Sequence, residues 1–204
     1  MSDSINGSTS NGADDNPGGT TNGTMSHVIS LLPLAAEHHV AALQQVYRAA
    51  PAYWQMYHLP AAPAGQAACD LEAAQETPGR HLLGIVRRLV AGDPTAGVEM
   101  VGVVDLRLHW PAPDVVYIGM MMVAEPYQRQ GIGREAWRLV RPWLARSAQM
   151  KTARLGVEQF NPGALRFFQQ IGFTLTGQTD RVRSGQRWVR LLYMEQSLVE
   201  PQTD

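Results

Sequence analysis

Two glycines separated by one residue stand at the point where a helical pattern begins, Gly131 and Gly133. The first N–H groups of a helix have no partners inside it, and glycine allows another molecule to approach the backbone closely. A helix terminus of this kind binds a phosphate group well. The pair therefore predicts a phosphate-binding loop, and a plain turn is the alternative interpretation.

The residues around the glycines exclude two common phosphate loops. Residues 131–136, GIGREA, lack the third glycine of the dinucleotide-binding fingerprint, and no Gly-Lys-Ser or Gly-Lys-Thr follows, as a P-loop requires. Two arginines flank the loop, Arg129 and Arg134, and their charge would help to neutralise a phosphate that the helix terminus alone cannot fully neutralise.

The elements on either side must hold this loop in place. Val115–Val123 is an uncharged run rich in Val, Ile and Met between Pro113 and Pro126, which predicts a buried central strand. Because proline has no N–H for a sheet ladder, the strand ends before Pro126. Beyond Gly133, apolar residues recur at helical spacing, which predicts a helix that begins near Gly131.

Similar patterns predict the remaining elements. We expect strands at 27–34, 81–90, 98–109 and 153–158, helices at 35–50 and 67–75, a helix capped by Asn161 and stopped at Gly172, and a final hairpin of strands 174–183 and 187–195. Strands 81–90, 98–109 and 115–123 should form an antiparallel meander. Segment 51–65 is rich in proline and aromatic residues, and we expect a broken connection that covers the core or lines a binding site.

Length and composition restrict the class of protein. The 204 residues suit one domain, and 17 basic against 18 acidic residues leave a net charge of -1, which indicates neither nucleic acid nor an anionic membrane as a partner. The single cysteine, Cys69, cannot form an internal disulfide, so we expect a reducing, cytoplasmic setting. No apolar run approaches the roughly 20 residues of a membrane span. Adjacent His38 and His39 cannot face one ligand from a helix, and no metal site is expected.

The ends of the chain differ from its middle. Residues 1–25 consist of Ser, Asn, Gly, Thr and Asp with almost nothing to bury, so we expect a disordered tail that is not a signal peptide. The folded domain is expected to cover 26–198, followed by a short tail at 199–204.

Two motifs resemble one family. Residues 128–133, QRQGIG, match the Q/R-x-x-G-x-G/A signature of the GNAT superfamily of acyl-CoA-dependent N-acetyltransferases. A second pattern of that superfamily, L-x-V-x-x-x-N-x-x-A ending in G-F, is matched by Leu155, Val157, Asn161, Ala164, Phe167, Gly172 and Phe173. The resemblance implies an α+β fold, a mixed α/β sandwich. Its mostly antiparallel central sheet of six to seven strands would splay between the fourth and fifth strands and be flanked by about four helices.

The resemblance also implies the roles of particular residues. Backbone amides of the glycine loop would hold the pyrophosphate of coenzyme A, the N–H of Val123 would stabilise the oxyanion, and Asn161 would contact the pantetheine arm. The implied cofactor-binding residues are Met122, Val123, Gln128, Arg129, Gln130, Gly131, Ile132, Gly133, Arg134, Asn161 and Phe168. The implied acceptor wall is Tyr53, Trp54 and Tyr57.

The chain departs from the family at two proton carriers. Phe168 stands where many members have a tyrosine that protonates the departing thiolate, and Tyr117 stands where one branch has a glutamate base. The first candidate for a replacement base is Glu158, at the end of the fifth strand, followed by three weaker candidates, Asp105, Glu99 and Tyr193. Asp105 is expected on the solvated face of its strand, with the cleft as the alternative.

The functional hypothesis is transfer of an acetyl group from acetyl-CoA to a primary amine of a small molecule or peptide. Because Phe168 has no proton to give, a non-catalytic module that binds or senses acyl-CoA is the alternative. A third hypothesis is an acyl group larger than acetyl, accommodated by Met120, Met121 and Met122, which otherwise pack in the core. The acceptor is not identified, and a homodimer is left open.

Overall fold

The computed structural model describes residues 29–89, 97–184 and 187–199. The strands are β1 Ile29–Pro33, β2 Arg80–Arg88, β3 Val98–Leu108, β4 Val115–Val123, β5 Thr152–Glu158, β6 Thr174–Ser184 and β7 Arg187–Ser197. The helices are α1 Ala36–Arg48, α2 Pro51–Met56, α3 Gln66–Glu76, α4 Ile132–Arg146 and α5 Pro162–Gln170, with a 3-10 turn at Glu125–Tyr127. The predicted tail 1–25, the predicted turn 91–95 and residues 200–204 lie outside the described residues.

One sheet of seven strands runs in the order β1-β2-β3-β4-β5-β7-β6. All neighbours are antiparallel except β4 and β5, which are parallel. The predicted α+β class and the antiparallel meander of β2, β3 and β4 are therefore confirmed.

The core lies on both faces of the sheet. Adjacent residues of β3 point to opposite sides, so that Val103 joins the cluster under α1, α2 and α3, and Val104 joins the cluster under α4 and α5. Each fully buried side chain of this size contributes roughly 1.5–3 kcal/mol. The two clusters hold the helical layers on either side of β4, the strand that leads to the glycine loop.

The start of α4 agrees with the prediction. Gly131 is the N-cap residue, with φ of 81° in the left-handed region that glycine adopts without strain. The buried stripe of α4 consists of Ile132, Ala136, Trp137, Val140 and Leu144. Burial of this stripe fixes the helix axis and hence the direction of its first N–H groups.

Segment 51–65 is not entirely the broken connection that its prolines predict. Its first six residues form the short helix α2, because Pro51 needs no N–H partner in a first helical turn and has a suitable φ. The connection beyond α2 is attached to α1 by the buried Gln44, whose Nε2 donates to Pro63 O at 3.1 Å and whose Oε1 accepts from Ala67 N at 3.1 Å. The segment therefore has a fixed position over the sheet.

The expectation that Asp105 lies on a solvated face is wrong. Asp105 is 8% exposed, and its carboxylate accepts from Arg80 Nη2 at 2.7 Å and from Arg80 Nε at 3.1 Å. Arg80 also lies 3.8 Å from Asp70, which accepts a hydrogen bond from the Tyr47 hydroxyl at 2.8 Å. Strand periodicity could not reveal this ion pair, because the face that carries Asp105 is covered by α1 and α3.

None of the described helices is long and apolar enough to cross a lipid bilayer.

Candidate active site

Strands β4 and β5 separate halfway along their length. Their pairing runs from Val115 with Thr152 to Ile118 with Leu155 and then stops, although β4 continues to Val123 and β5 to Glu158. Beyond this point β5 stays paired with β7 and β4 stays paired with β3. The predicted splay is thus present, and it opens a gap in the sheet.

The N–H of Val123 points toward this gap. Val123 lies opposite Gly102 of β3, and the next residue, Ala124, donates its N–H to Val101 O at 2.9 Å. Successive residues of a strand direct their N–H groups to opposite sides, so the N–H of Val123 points away from β3. Its carbonyl oxygen points the same way and accepts from Gln128 Nε2 at 2.8 Å.

A β-bulge lies where β4 leaves β5. The register against β3 passes from Leu106 with Ile118 to Asp105 with Met120, so Gly119 is the extra residue. Bulges bend a strand and increase its twist, and they are frequent beside active sites. The bulge gives a local reason for the separation of the two strands.

The glycine loop closes one end of the gap. Gly131 has open space around the position that a Cβ would occupy, whereas a Cβ on Gly133 would lie 3.1 Å from the Phe167 ring. Arg129, with φ of 61°, and Arg134 are both exposed beside the loop. An open helix terminus with two flanking cations fits a pyrophosphate.

Two contacts attach the 3-10 turn that precedes the glycine loop to the end of α1 and to α2. Glu125 donates its N–H to Ala49 O at 2.8 Å, and its Oε1 accepts from Ala52 N at 2.8 Å. Gln130 Nε2 donates to Pro126 O at 2.9 Å. The glycine loop and the start of segment 51–65 are therefore held in a fixed relation to each other.

Tyr57 and Glu158, predicted from separate arguments, meet at the end of β5. The Tyr57 hydroxyl donates to Glu158 Oε1, and both side chains are half-buried. Burial, the neighbouring Tyr53 and the Glu158 carboxylate raise the pKa of Tyr57 above its ordinary value. Tyr57 therefore keeps its proton at neutral pH and acts as a donor.

The other two residues of the predicted acceptor wall differ in exposure. Tyr53 is half-buried, with its ring 5.2 Å from that of Tyr57, and burial raises its pKa. Trp54 is only 7% exposed, and its Nε1 donates to Tyr47 O at 2.8 Å. Trp54 is therefore a core residue that anchors segment 51–65 to α1. Tyr53 and Tyr57 lie nearer to Glu158.

Phe168 lies on α5, and Asn161 is the N-cap residue that precedes this helix. Phe168 is 8% exposed and packs against Phe173, with ring centroids 5.5 Å apart. Asn161 caps the helix, and its Oδ1 accepts from Ala164 N at 3.0 Å. The cap uses the side-chain oxygen Oδ1 and does not involve the side-chain nitrogen Nδ2 of Asn161.

The weaker base candidates are engaged elsewhere. Asp105 pairs with Arg80 as described above, while Glu99 accepts from Arg87 Nε at 3.1 Å and from the Tyr127 hydroxyl at 2.7 Å. Burial raises the pKa of Tyr117, which makes it an even poorer base than an ordinary tyrosine.

Sequence patterns did not single out Arg154, which shares a face of β5 with Glu158. Arg154 bonds to Glu195 at 2.7 Å and to Gln178 at 2.6 Å, and it lies 4.4 Å from the Tyr193 ring centroid. The sequence did contain a signal for Arg154. Side chains of a strand alternate between two faces, and Arg154 lies on the same face as Glu158 in a strand whose other face is buried. Gly119 was also missed, although glycine inside a strand often marks a bulge.

A cleft of about 430 Å³ lies beside the Tyr57–Glu158 contact. It is lined by Gln55, Met56, His58, Gln159, Phe160, Trp188 and Val189. Within the described ranges of the chain, no group of three His, Cys, Asp or Glu side chains is arranged to hold a metal ion.

Comparisons with known proteins agree with this geometry. A sequence profile of the acetyltransferase (GNAT) family matches residues 43–173, and the chain belongs to this family of acetyltransferases. Membership implies use of acetyl-CoA. A comparison with curated proteins found no significant match.

Solved structures with the same fold come from several bacteria. An acetyltransferase from Thermus thermophilus is 22% identical with a TM-score of 0.63, covering 84% of this chain and 99% of that one. A probable GNAT-family acetyltransferase from Chromobacterium violaceum is 19% identical with a TM-score of 0.66, covering 86% and 90%. Mutant forms of the spermidine/spermine N-acetyltransferase SpeG from Vibrio cholerae are 14% identical with a TM-score of 0.59, covering 84% and 95%.

Proposed function

We propose that this acetyltransferase transfers an acetyl group from acetyl-CoA to a primary amine of a small molecule or peptide, by direct attack in a ternary complex. The observation that carries the proposal is the gap between β4 and β5, which has the Val123 N–H on one side and the Tyr57–Glu158 contact at the end of β5. Holding two reactants in such a gap can supply several kcal/mol of the barrier.

The glycine loop is the proposed site for the pyrophosphate of acetyl-CoA. The first N–H groups of α4 would bind the phosphate oxygens together with the side chains of Arg129 and Arg134. The strand end at Met122 and Val123, the loop residues Gln128, Gln130 and Ile132, the α5 N-cap Asn161 and the α5 residue Phe168 would border the pantetheine arm. When bound, acetyl-CoA supplies the thioester carbonyl that the amine attacks.

Val123 and Glu158 would share the chemistry. The Val123 N–H would donate to the carbonyl oxygen as it gains negative charge, which is worth a few kcal/mol in a preorganised site. Glu158 would take a proton from the ammonium and pass it to water, leaving a neutral nitrogen. As the C–N bond forms and the C–S bond breaks, the second proton would leave the nitrogen and end on the departing thiolate sulfur, which becomes the thiol of CoA.

Phe168 has no proton to give to the departing thiolate, which motivates a second candidate, a non-catalytic module that binds acyl-CoA. The two candidates are separated by measuring acetyl-CoA affinity and thiol release across a panel of primary amines. Turnover of any amine supports the transferase. Binding of acetyl-CoA with no turnover of any amine would contradict it and favour the module.

A further inference from the structure

We infer that the acceptor is an arylalkylamine, a primary amine joined by a short alkyl chain to an aromatic ring that occupies the cleft between α2 and β7. This inference rests on the proposed function, since it names the substrate class of the same site. The cleft is defined by the seven residues that line it, from Gln55 to Val189.

The position of the cleft favours an acceptor. Tyr57 lies between two lining residues, Met56 and His58, and Glu158 precedes a third, Gln159. The Tyr57–Glu158 contact is therefore adjacent in the chain to the cleft lining on both of its sides. In the proposed complex, a ligand in the cleft would direct its end group toward the Glu158 carboxylate.

The walls of the cleft are suited to an aromatic ring. Met56, Phe160, Trp188 and Val189 supply apolar surface, and Trp188 is 69% exposed although it is the largest of these side chains. Exposed aromatic side chains gain by stacking on a ligand ring, beyond the area that is buried. A volume of about 430 Å³ is within the usual range for small-molecule sites.

The charges around the cleft favour one ammonium group over several. None of the residues described as lining the cleft is Asp, Glu, Lys or Arg, and the carboxylate of Glu158 belongs to the residue that precedes the lining residue Gln159. A buried cation needs a paired charge, and a polyamine has at least two. On the hairpin that carries Trp188, Arg181 and Arg190 lie directly opposite each other and are exposed, which repels a polycation.

The first test compares three classes of amine with acetyl-CoA as the donor. Phenethylamine and tryptamine represent the arylalkylamines, spermidine and putrescine the polyamines, and propylamine an amine without a ring. We expect kcat/KM for the arylalkylamines to exceed that for the polyamines by at least about tenfold, or roughly 1.4 kcal/mol. A preference for spermidine, or equal use of propylamine and phenethylamine, would overturn the inference.

The second test uses variants of exposed tryptophans. Trp188→Ala should raise KM for tryptamine several-fold and change KM for propylamine much less, and Trp188→Phe should restore most of the loss. Trp143→Ala, at a tryptophan of α4 that is 39% exposed, is the matched control and should change neither value. An equal effect of Trp188→Ala on tryptamine and propylamine would contradict the inference.

Binding measurements separate this inference from the proposed function. Saturation-transfer NMR of phenethylamine with the whole protein should show ring contacts that are lost in Trp188→Ala, whether or not turnover occurs. If phenethylamine binds in this way but no amine is acetylated, the ligand class stands and the transferase proposal fails. If other amines are acetylated and phenethylamine neither binds nor reacts, the transferase stands and the ligand class fails.

Discussion

The Glu158 side chain is held by a hydrogen bond from Tyr57, a residue 101 positions earlier in the chain. The tyrosine donates to one carboxylate oxygen, and in the proposed mechanism the carboxylate takes a proton from the amine. Because the missing acid at Phe168 and the missing base at Tyr117 leave no other proton carrier in the family positions, the proposed mechanism depends on this carboxylate.

Glu158→Gln removes the proposed base while keeping the size of the side chain. We expect kcat at neutral pH to fall by about 10²-fold or more, with little change in acetyl-CoA affinity. The loss in kcat should become smaller at high pH, where the amine is already neutral and needs no base to remove its proton. Glu72→Gln, at an exposed glutamate of α3, is the control. A deficit of the same size at every pH would argue against a role as base.

Tyr57 should also influence stability at alkaline pH. Its pKa is raised in the folded protein and is about 10 in an unfolded chain. Below pH 10 both states keep the proton and the contribution is fully present. Above pH 10 the unfolded chain loses the proton first, so the free energy of unfolding falls by up to about 1.4 kcal/mol per pH unit. Urea titrations at several pH values should show a shallower decline for Tyr57→Phe, and an unchanged slope would refute this assignment.

At the scale of elements, local rules predicted most of what was observed. The bounds of β4, the start of α4 and the cap of α5 follow from the uncharged run, from Gly131 and from Asn161, since each depends on neighbours in the chain. The helix α2, the bulge at Gly119 and the burial of Trp54 depend on contacts with distant segments. Periodicity alone contains no information about such contacts.

The helix start at Gly131 allows a controlled test of the phosphate loop. Gly131 and Gly65 are both N-cap residues, with φ of 81° and 82° and open space at the Cβ position. A leucine at either site meets the same backbone strain, roughly 1–2 kcal/mol. Calorimetric titration with acetyl-CoA should show a loss of at least about tenfold in affinity for Gly131→Leu and none for Gly65→Leu. Equal affinities in the two variants would place the phosphates elsewhere.

At the scale of the whole molecule, the two faces of the sheet carry different parts of the proposed site. The core under α4 and α5 supports the glycine loop, and the core under α1, α2 and α3 supports segment 51–65. The chain Tyr47–Asp70–Arg80–Asp105 connects α1 and α3 to β2 and β3 through hydrogen bonds and ion pairs. We therefore expect that mutations can affect acceptor binding without affecting donor binding.

Asp105→Ala tests this separation. The change leaves Arg80 partly buried without its main partner, and since a fifth of that side chain is exposed, we expect a loss of about 2–3 kcal/mol in the free energy of unfolding. The loosened α1–α3 layer should raise KM for the amine, while acetyl-CoA affinity stays near the wild-type value because the glycine loop rests on the other core.

The control is Asp114→Ala, which breaks an exposed ion pair with Lys151 and should change stability by less than about 1 kcal/mol. Urea denaturation and substrate titrations of both variants measure these effects. If Asp105→Ala weakened acetyl-CoA binding as much as amine binding, the two cores would not act independently.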